Sequence, residues 1–342
     1  MSIEITFHPQ HANREKLRQF LEELGYQPCE SLWKWPKGTL TYHWFDATEH
    51  RSYDGVEANI SKPSKALKEK LGPCPWMLHT RTRASASPSD KDKQNRTIRE
   101  ARRRFGGRFY NDWYGLDRYT VTSPDGRDAI SRGMYLVYEQ VKGNLKSVIF
   151  SLPEGHKPPK EPKDAYGKKV TEFIGAADPV RVLYNALVPF AVASLEHFFG
   201  QTFRIFLAYD EMAKQKIALQ TRKVEMTDLL AVRDGNKSVE DIIADWYSFQ
   251  SIDSIHRAFS EWTTIDFWKI LRTGKVPGDD LTMLADAFNK IIEFRHGIVH
   301  RYDIDRQLDC EQISTILKTA IAVIDEFTTH VEASRGFPVR DT

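Results

Sequence analysis

"VRVLYNALVPFAVASLEHFFGQTFRIFLAY", residues 180–209, decides how the second half of this 342-residue chain is read. Almost every third or fourth position is large and apolar, the period of a helix that must bury a face. Asp178 offers an N-cap and Pro179 suits the first turn. The stretch reads as one long apolar helix, or as two broken near Pro189 or Gly200. Downstream, "SVEDIIADWYSF", "SIDSIHRAFSEWT", "DDLTMLADAFNKIIEF" and "DCEQISTILKTAIAVIDEFTTHVEASR" keep the helical period to the end. Residues 170–335 are therefore expected to form an all-α antiparallel bundle.

Upstream the pattern changes. "IEITFHP", "TLTYHWFDA" and "GVEANIS" read as strands, and "NREKLRQFLEELGY" as a helix ending at Gly25. "PSDKDKQNRTIREARRRFGG" reads as a polar helix capped by Ser89 or Asp90 and stopped by Gly106–Gly107. "RYTVTSPDG", "GMYLVYEQV" and "LKSVIFSL" look like strands, the last two joined by a "KGN" hairpin. Residues 1–152 are thus expected to be a mixed α/β domain. "PEGHKPPKEPKDAYGKK", residues 153–169, is dense in Pro and Lys and reads as the linker.

Length allows two sizeable cores. The three cysteines, Cys29, Cys74 and Cys310, are far apart, which fits a reducing compartment and argues against a thiolate cage. The N-terminus lacks the pattern of a signal peptide, and no apolar run reads as long enough to span a bilayer, so a cytoplasmic protein without a membrane partner is expected. The net charge of +2 hides an asymmetry: residues 1–170 carry 30 Lys+Arg against 21 Asp+Glu, a net +9, and the remainder 19 against 26, a net −7. The first part is the one suited to a polyanion.

Within it, residues 62–108 hold fourteen cations against four acids. Arg96, Arg99 and Arg103 fall along one side of the polar helix, Arg104 and Arg108 come next among aromatics, and Arg81, Arg83 and Lys93 share the neighbourhood with several hydroxyls. Arginines bind phosphates and exposed aromatics stack on unpaired bases, so these eight residues are candidates for nucleic-acid or anion binding. A solvated helix with its aromatics in the core is the plainer alternative. Asp46, Glu49, His50 and Asp54 form an acidic group that reads more readily as a polar loop than as a second site.

The remaining chemistry sits near the end. "EFRHGIVHRYD", residues 293–303, places Arg295, His296, His300 and Arg301 directly after an apolar helix face. His296 and His300, four apart, share a face; Arg295 and His300, five apart, lie about 140° apart unless the helix bends, with Gly297 the weak point. Dipole complementation and carbonyl capping are ordinary structural explanations for such residues. A zinc site on His296 and His300 would have only Asp303 as a near third ligand, too incomplete a set.

"RHGIVHR", placed late in a helical domain and followed by one more long helix, resembles the R-[polar]-x3-H motif of the HEPN superfamily. The resemblance extends over residues 178–333 through "ASLEHFFGQTF", "FSEWTTIDFWKIL" and "ADAFNKIIEFRHGIVH", and leaves residues 1–152 unassigned. It implies a metal-independent endoribonuclease, without cofactor, working as a homodimer on RNA. Arg295 and His300 would be catalytic, the histidine moving the proton of the 2′-hydroxyl or of the leaving oxygen and the arginine stabilising the phosphate; the product would be a 2′,3′-cyclic phosphate. His296, Arg301 and Glu196 would support them. His197, beside Glu196, reads as a packing histidine. Tyr302 completes R-x4-H-x-Y, which resembles HEPN toxins whose antitoxin modifies that tyrosine; a toxin or phage-defence role, with an antitoxin or trigger ligand, is implied. The alternative is a non-catalytic HEPN dimerisation or nucleotide-binding module attached to a nucleic-acid-binding domain.

Overall fold

A computed structural model describes residues 1–30, 35–153, 164, 167, 178–301, 303–305 and 307–341. The expected linker and Tyr302 lie largely or wholly outside these residues. The chain divides into two compact units, Met1–Ala129 and Ile130–Thr342.

The first unit is a seven-stranded antiparallel sheet. Its strands are β1 (Ser2–Pro9), β2 (Gln27–Pro28), β3 (Leu40–Trp44), β4 (Val56–Ser61), β5 (Met77–Arg83), β6 (Gly107–Asn111) and β7 (Gly115–Leu116), in the order β2-β3-β4-β5-β1-β6-β7. One face packs against α1 (Arg14–Glu23) and α3 (Pro88–Phe105); Ile5, Phe7, Ala58, Ile60 and Leu78 meet Leu17, Phe20, Ile98 and Phe105 there. A short α2 spans Lys65–Leu71. The mixed character expected for this region holds, with two corrections. β5, a central strand, has no counterpart among the expected elements, because its outward positions are His79, Arg81 and Arg83. "RYTVTSPDG" forms no strand. The cap of α3 also shifts: Ser87 accepts from Asp90 N and the Asp90 carboxylate accepts from Ser87 N, so Asp90 is the inner half of a capping box rather than the cap. The Gly106–Gly107 stop is as expected. A Cβ at Gly107 would come within 2.1 Å of the His8 carbonyl, so only glycine lets β6 pair closely with β1 at that point.

The second unit opens with α4 (Ala129–Ser151), one 23-residue helix across the two strands and hairpin expected there. Ile130, Met134, Tyr138, Val141 and Leu145 are buried at helical spacing, and Gly143 faces open space as an interior helix residue. Aromatic and β-branched composition suggests strands; the period of the buried positions decides for helix. The unit boundary at Ala129 places residues 130–152 with the helices. Lys142 Nζ and Tyr138 Oη both reach Asp325 Oδ1, at 2.6 and 2.7 Å.

α5 (Pro179–Tyr209) starts as expected, with Asp178 accepting from Val180 N, and runs unbroken through Pro189 and Gly200. Contrary to expectation, it is long and apolar enough to cross a membrane by length and composition, with a mean hydropathy of 1.3 over its most apolar 18 residues. Here its Phe198, Phe199, Phe203 and Phe206 are buried in an aromatic cluster with Phe259, Phe267 and Phe327; Phe199 stands edge-on to Phe267 at 4.9 Å and to Phe327 at 5.3 Å. α6 (Glu211–Ala218), α7 (Met226–Arg233), α8 (Val239–Ala244), α9 (Ile252–Trp262), α10 (Phe267–Thr273), α11 (Leu284–Arg301) and α12 (Cys310–Arg335) complete the helices. α5, α11 and α12 pack on one another. The unit is not wholly helical: β8 (Lys275–Val276) and β9 (Asp279–Met283) form a hairpin where "DDLTM" reads as the start of a helix.

Candidate functional site

α11 presents the arginine–histidine segment. Its inner face is fixed by buried Leu284, Ala285, Phe288 and Ile291, which pack the helix into the unit. Its last two turns carry Arg295, half-buried, and His296 and His300, both exposed. The two imidazoles lie 4.5 Å apart between ring centroids, tilted by 44°, on one face as the four-residue spacing requires. The helix does not bend at Gly297. It continues to Arg301, so Arg295 and His300 stay about 140° apart around one axis. Gly297 serves a different purpose: a Cβ there would lie 3.1 Å from Arg301 Nη2, and its carbonyl accepts from Asp303 N at 3.2 Å. Arg301 turns back to Asp303, Nε to Oδ2 at 3.0 Å. Asp303 is thus engaged by arginine, and no group of three metal-ligating side chains occurs among the described residues.

The turn leaving α11 is fixed by a residue that sequence reasoning misses. Asn185, on the first half of α5, is buried and clasps Asp305 by both backbone groups: its Nδ2 donates to Asp305 O at 2.9 Å and its Oδ1 accepts from Asp305 N at 2.8 Å. The same Nδ2 donates to Arg181 O at 2.9 Å. The turn is therefore tied to α5. An asparagine on an apolar helix is the available signal, masked by the apolar run around it.

Glu196 is not part of this constellation. It lines an open cavity of about 440 Å³ with His197, Arg204, Asp245, Tyr247 and Gln250, to which no residue of α11 contributes. Arg204 there is paired with Asp241 at 2.8 Å.

The eight amino-terminal cations do not converge. Arg81 pairs with Glu4 at 3.6 Å, Arg83 with Asp54 at 3.2 Å, Arg103 with Glu100 at 2.6 Å, Arg108 with Asp117 at 3.0 Å, and Arg104 with Glu23. Arg99 lies over the Tyr119 ring. Lys93 is structural: its Nζ donates to Leu24 O at 2.5 Å and sits over Trp44 at 4.7 Å, and burial pushes its ammonium down to about 8. Arg96 is exposed. What remains for a polyanion is the outer side of α3, where Arg96, Arg99, Arg102 and Arg103 are exposed and the Arg103–Glu100 pair is of the weak, exchangeable kind. Asp46, Glu49 and His50 belong to a tight turn in which Asp46 accepts from Thr48 N, and Asp54 is taken by Arg83.

The sheet face turned away from α1 and α3 carries polar residues that sequence reading passes over. The register sets His43, Glu57, Arg81 and Glu4 side by side across β3, β4, β5 and β1, and Thr41, Asn59, His79 and Thr6 in the next row. His79 Nε2 lies 3.2 Å from Glu4 Oε2, and this contact holds the Glu4 carboxyl down to about 2. No family model, curated protein or solved structure matches the chain.

Proposed function

We propose that the chain is a HEPN-type, metal-independent endoribonuclease whose helical unit cuts RNA as a homodimer. The observation that carries this reading is the cluster of Arg295, His296 and His300 at the end of α11, its two imidazoles open to solvent, with the departing turn tied to α5 by Asn185. An imidazole titrating near neutral pH can take the 2′-hydroxyl proton, so that this oxygen attacks the adjacent phosphorus, and an imidazole can protonate the departing 5′-oxygen. A guanidinium can hold the phosphoryl oxygens as charge grows on them. Within one chain Arg295 and His300 point from different sides of α11, so both roles at one phosphate call for a second copy. Exposed apolar side chains on the same helices, Val182, Leu183 and Phe190 on α5 and Val299 on α11, supply material for such an interface. The outer side of α3 would hold the RNA backbone. A toxin or defence role, silenced by an antitoxin or released by a trigger, is the biological setting we infer by analogy.

The separation of Arg295 and His300 also favours the second reading, a binding module without catalysis. Incubating wild type, Arg295→Ala and His300→Ala with total RNA and with single-stranded DNA, in EDTA, decides between them. Cleavage of RNA alone, leaving 2′,3′-cyclic ends and lowered about 10²–10⁴-fold in His300→Ala, is the expected result. RNA binding that survives His300→Ala, with no cleavage by wild type, would overturn it.

A further inference from the structure

The polar face of the amino-terminal sheet is partly covered. His8, Asn59, Ser61 and His79 are each no more than 5 % exposed. Asn59 lies opposite His79 in the register, Ser61 opposite Met77 one step along, and His8 diagonal to His79 on the other side. Positions related in this way on one face are about 5–8 Å apart, so the four form one patch.

Asn59 is fully engaged: Thr41 Oγ1 donates to its Oδ1 at 2.8 Å and its Nδ2 donates to Glu57 at 2.6 Å. Its neighbours are not. His79 Nε2 donates to Glu4 Oε2 at 3.2 Å, and in a neutral imidazole that donates from Nε2 the Nδ1 is the acceptor. His8 donates through Nδ1 to Gly72 O at 2.9 Å, and burial holds its imidazole neutral, which leaves Nε2 bare. These two nitrogens, Ser61 Oγ and Trp35 Nε1 are buried without a hydrogen-bond partner among the described residues. The Trp35 ring packs on His79 at 5.1 Å between centroids. Each orphaned polar atom costs about 1–3 kcal/mol, and four in one patch call for something that engages them.

The chemistry of the patch narrows what that is. Two imidazoles pinned through their far nitrogens resemble metal ligands, but no third ligand joins them among the described residues. A phosphate is disfavoured: Arg81 and Arg83 are engaged by Glu4 and Asp54, and Glu57 offsets Lys68, the cation beside His8. The complement is neutral and planar, with N–H donors for the imidazoles, an acceptor for the indole and hydroxyl, and a ring to pack by Trp35.

We propose that this face binds a nucleobase bearing an exocyclic amine, whose N–H groups donate to His79 Nδ1 and His8 Nε2. The assignment specifies a ligand for the amino-terminal domain and uses neither Arg295 nor His300. It is tested on full-length His300→Ala protein titrated with adenosine, guanosine, cytidine and uridine, by calorimetry and by imidazole ¹⁵N shifts. A nucleoside has no phosphodiester, so failure of the ribonuclease reading leaves this test intact. The expected result is binding of at least one amine-bearing nucleoside with a shifted His79 Nδ1 signal and weaker binding of uridine. His79→Phe and Ser61→Ala should each weaken binding about tenfold, the value of one buried hydrogen bond; Ser61→Ala should leave the unfolding midpoint unchanged, and His79→Phe should lower it by no more than loss of the Glu4 contact does. Adding a 5′-phosphate should not tighten it. A short unstructured RNA that competes for the site with the same His79 dependence identifies a base within RNA as the source; nucleoside binding without such competition identifies a free ligand. The proposal is overturned if no nucleoside moves the imidazole signals, if zinc alone moves both, or if His79→Phe leaves affinity unchanged.

Discussion

Asn185→Ala tests whether the turn after α11 is held from α5. Asn185 makes three hydrogen bonds, two to the Asp305 backbone and one to Arg181 O, at 2.8–2.9 Å. At about 1 kcal/mol each their loss amounts to about 3 kcal/mol, and the better helix propensity of alanine inside α5 returns about 0.6 kcal/mol. The net loss is about 2 kcal/mol, or roughly 4–8 °C in the midpoint of a unit this size. Asn185→Asp should do worse: it keeps the acceptor for Asp305 N, loses the donor to Asp305 O, and buries a charge. The assay is urea and thermal unfolding followed by circular dichroism, with hydrogen exchange at Asp305 N as the local reporter. Faster exchange at that amide, together with falling stability in the order wild type, Asn185→Ala, Asn185→Asp, is expected. If Asn185→Asp matched wild type in both readouts, the bidentate clasp on Asp305 would be wrong. RNA cleavage should fall in both variants although Arg295 and His300 are intact, because the turn that leaves His300 is loosened.

Phe190→Glu places a charge in the exposed apolar stripe of α5, and light scattering should then show a monomer in place of the proposed wild-type dimer; an unchanged mass would remove this stripe from the proposed interface. Glu4 has a folded-state pKa of about 2 against an ordinary 4.5, so its contribution is complete above the ordinary value and fades as pH falls toward 2. The side chain is 39% exposed, which screens the gain to about 1 kcal/mol, and Glu4→Gln should flatten the acid limb of the amino-terminal unit's unfolding by that amount. Residues 130–342 should give a cooperative unfolding transition and residues 153–342 a weaker one or none, since the second lacks the Tyr138 and Lys142 contacts to Asp325; equal midpoints would show that α4 is dispensable.

What can be read along the chain depends on whether local period and composition agree. α1, α5 and α12 announce themselves by apolar spacing, with the Asp178 cap agreeing at α5, and α3 by its Gly106–Gly107 stop although its cap lies at Ser87. α4 reads wrongly as strands because its valines, tyrosines and a Lys-Gly-Asn triplet favour strands and a turn locally, while the helix is set by which residues are buried. β5 escapes notice for the converse reason: only Leu78, Thr80 and Thr82 face the core, and the outward arginines draw attention to charge. The same division runs through the sites. Arg295, His296 and His300 lie within six residues, and their arrangement comes from one helix, so it is legible in order of appearance. Asn185 with Asp305, or His79 with Glu4, joins residues 120 and 75 positions apart, and only the fold brings them together. The eight cations show the limit from the other side. Clustering in sequence suggests a shared anion site, yet strand alternation and the helix surface hand most of them to separate carboxylates, so proximity along the chain overstates their common purpose. The chemistry most open to test is therefore of two kinds: a segment whose proposed catalysis calls for a second copy of the chain, and a buried face formed by strands that the sequence keeps far apart.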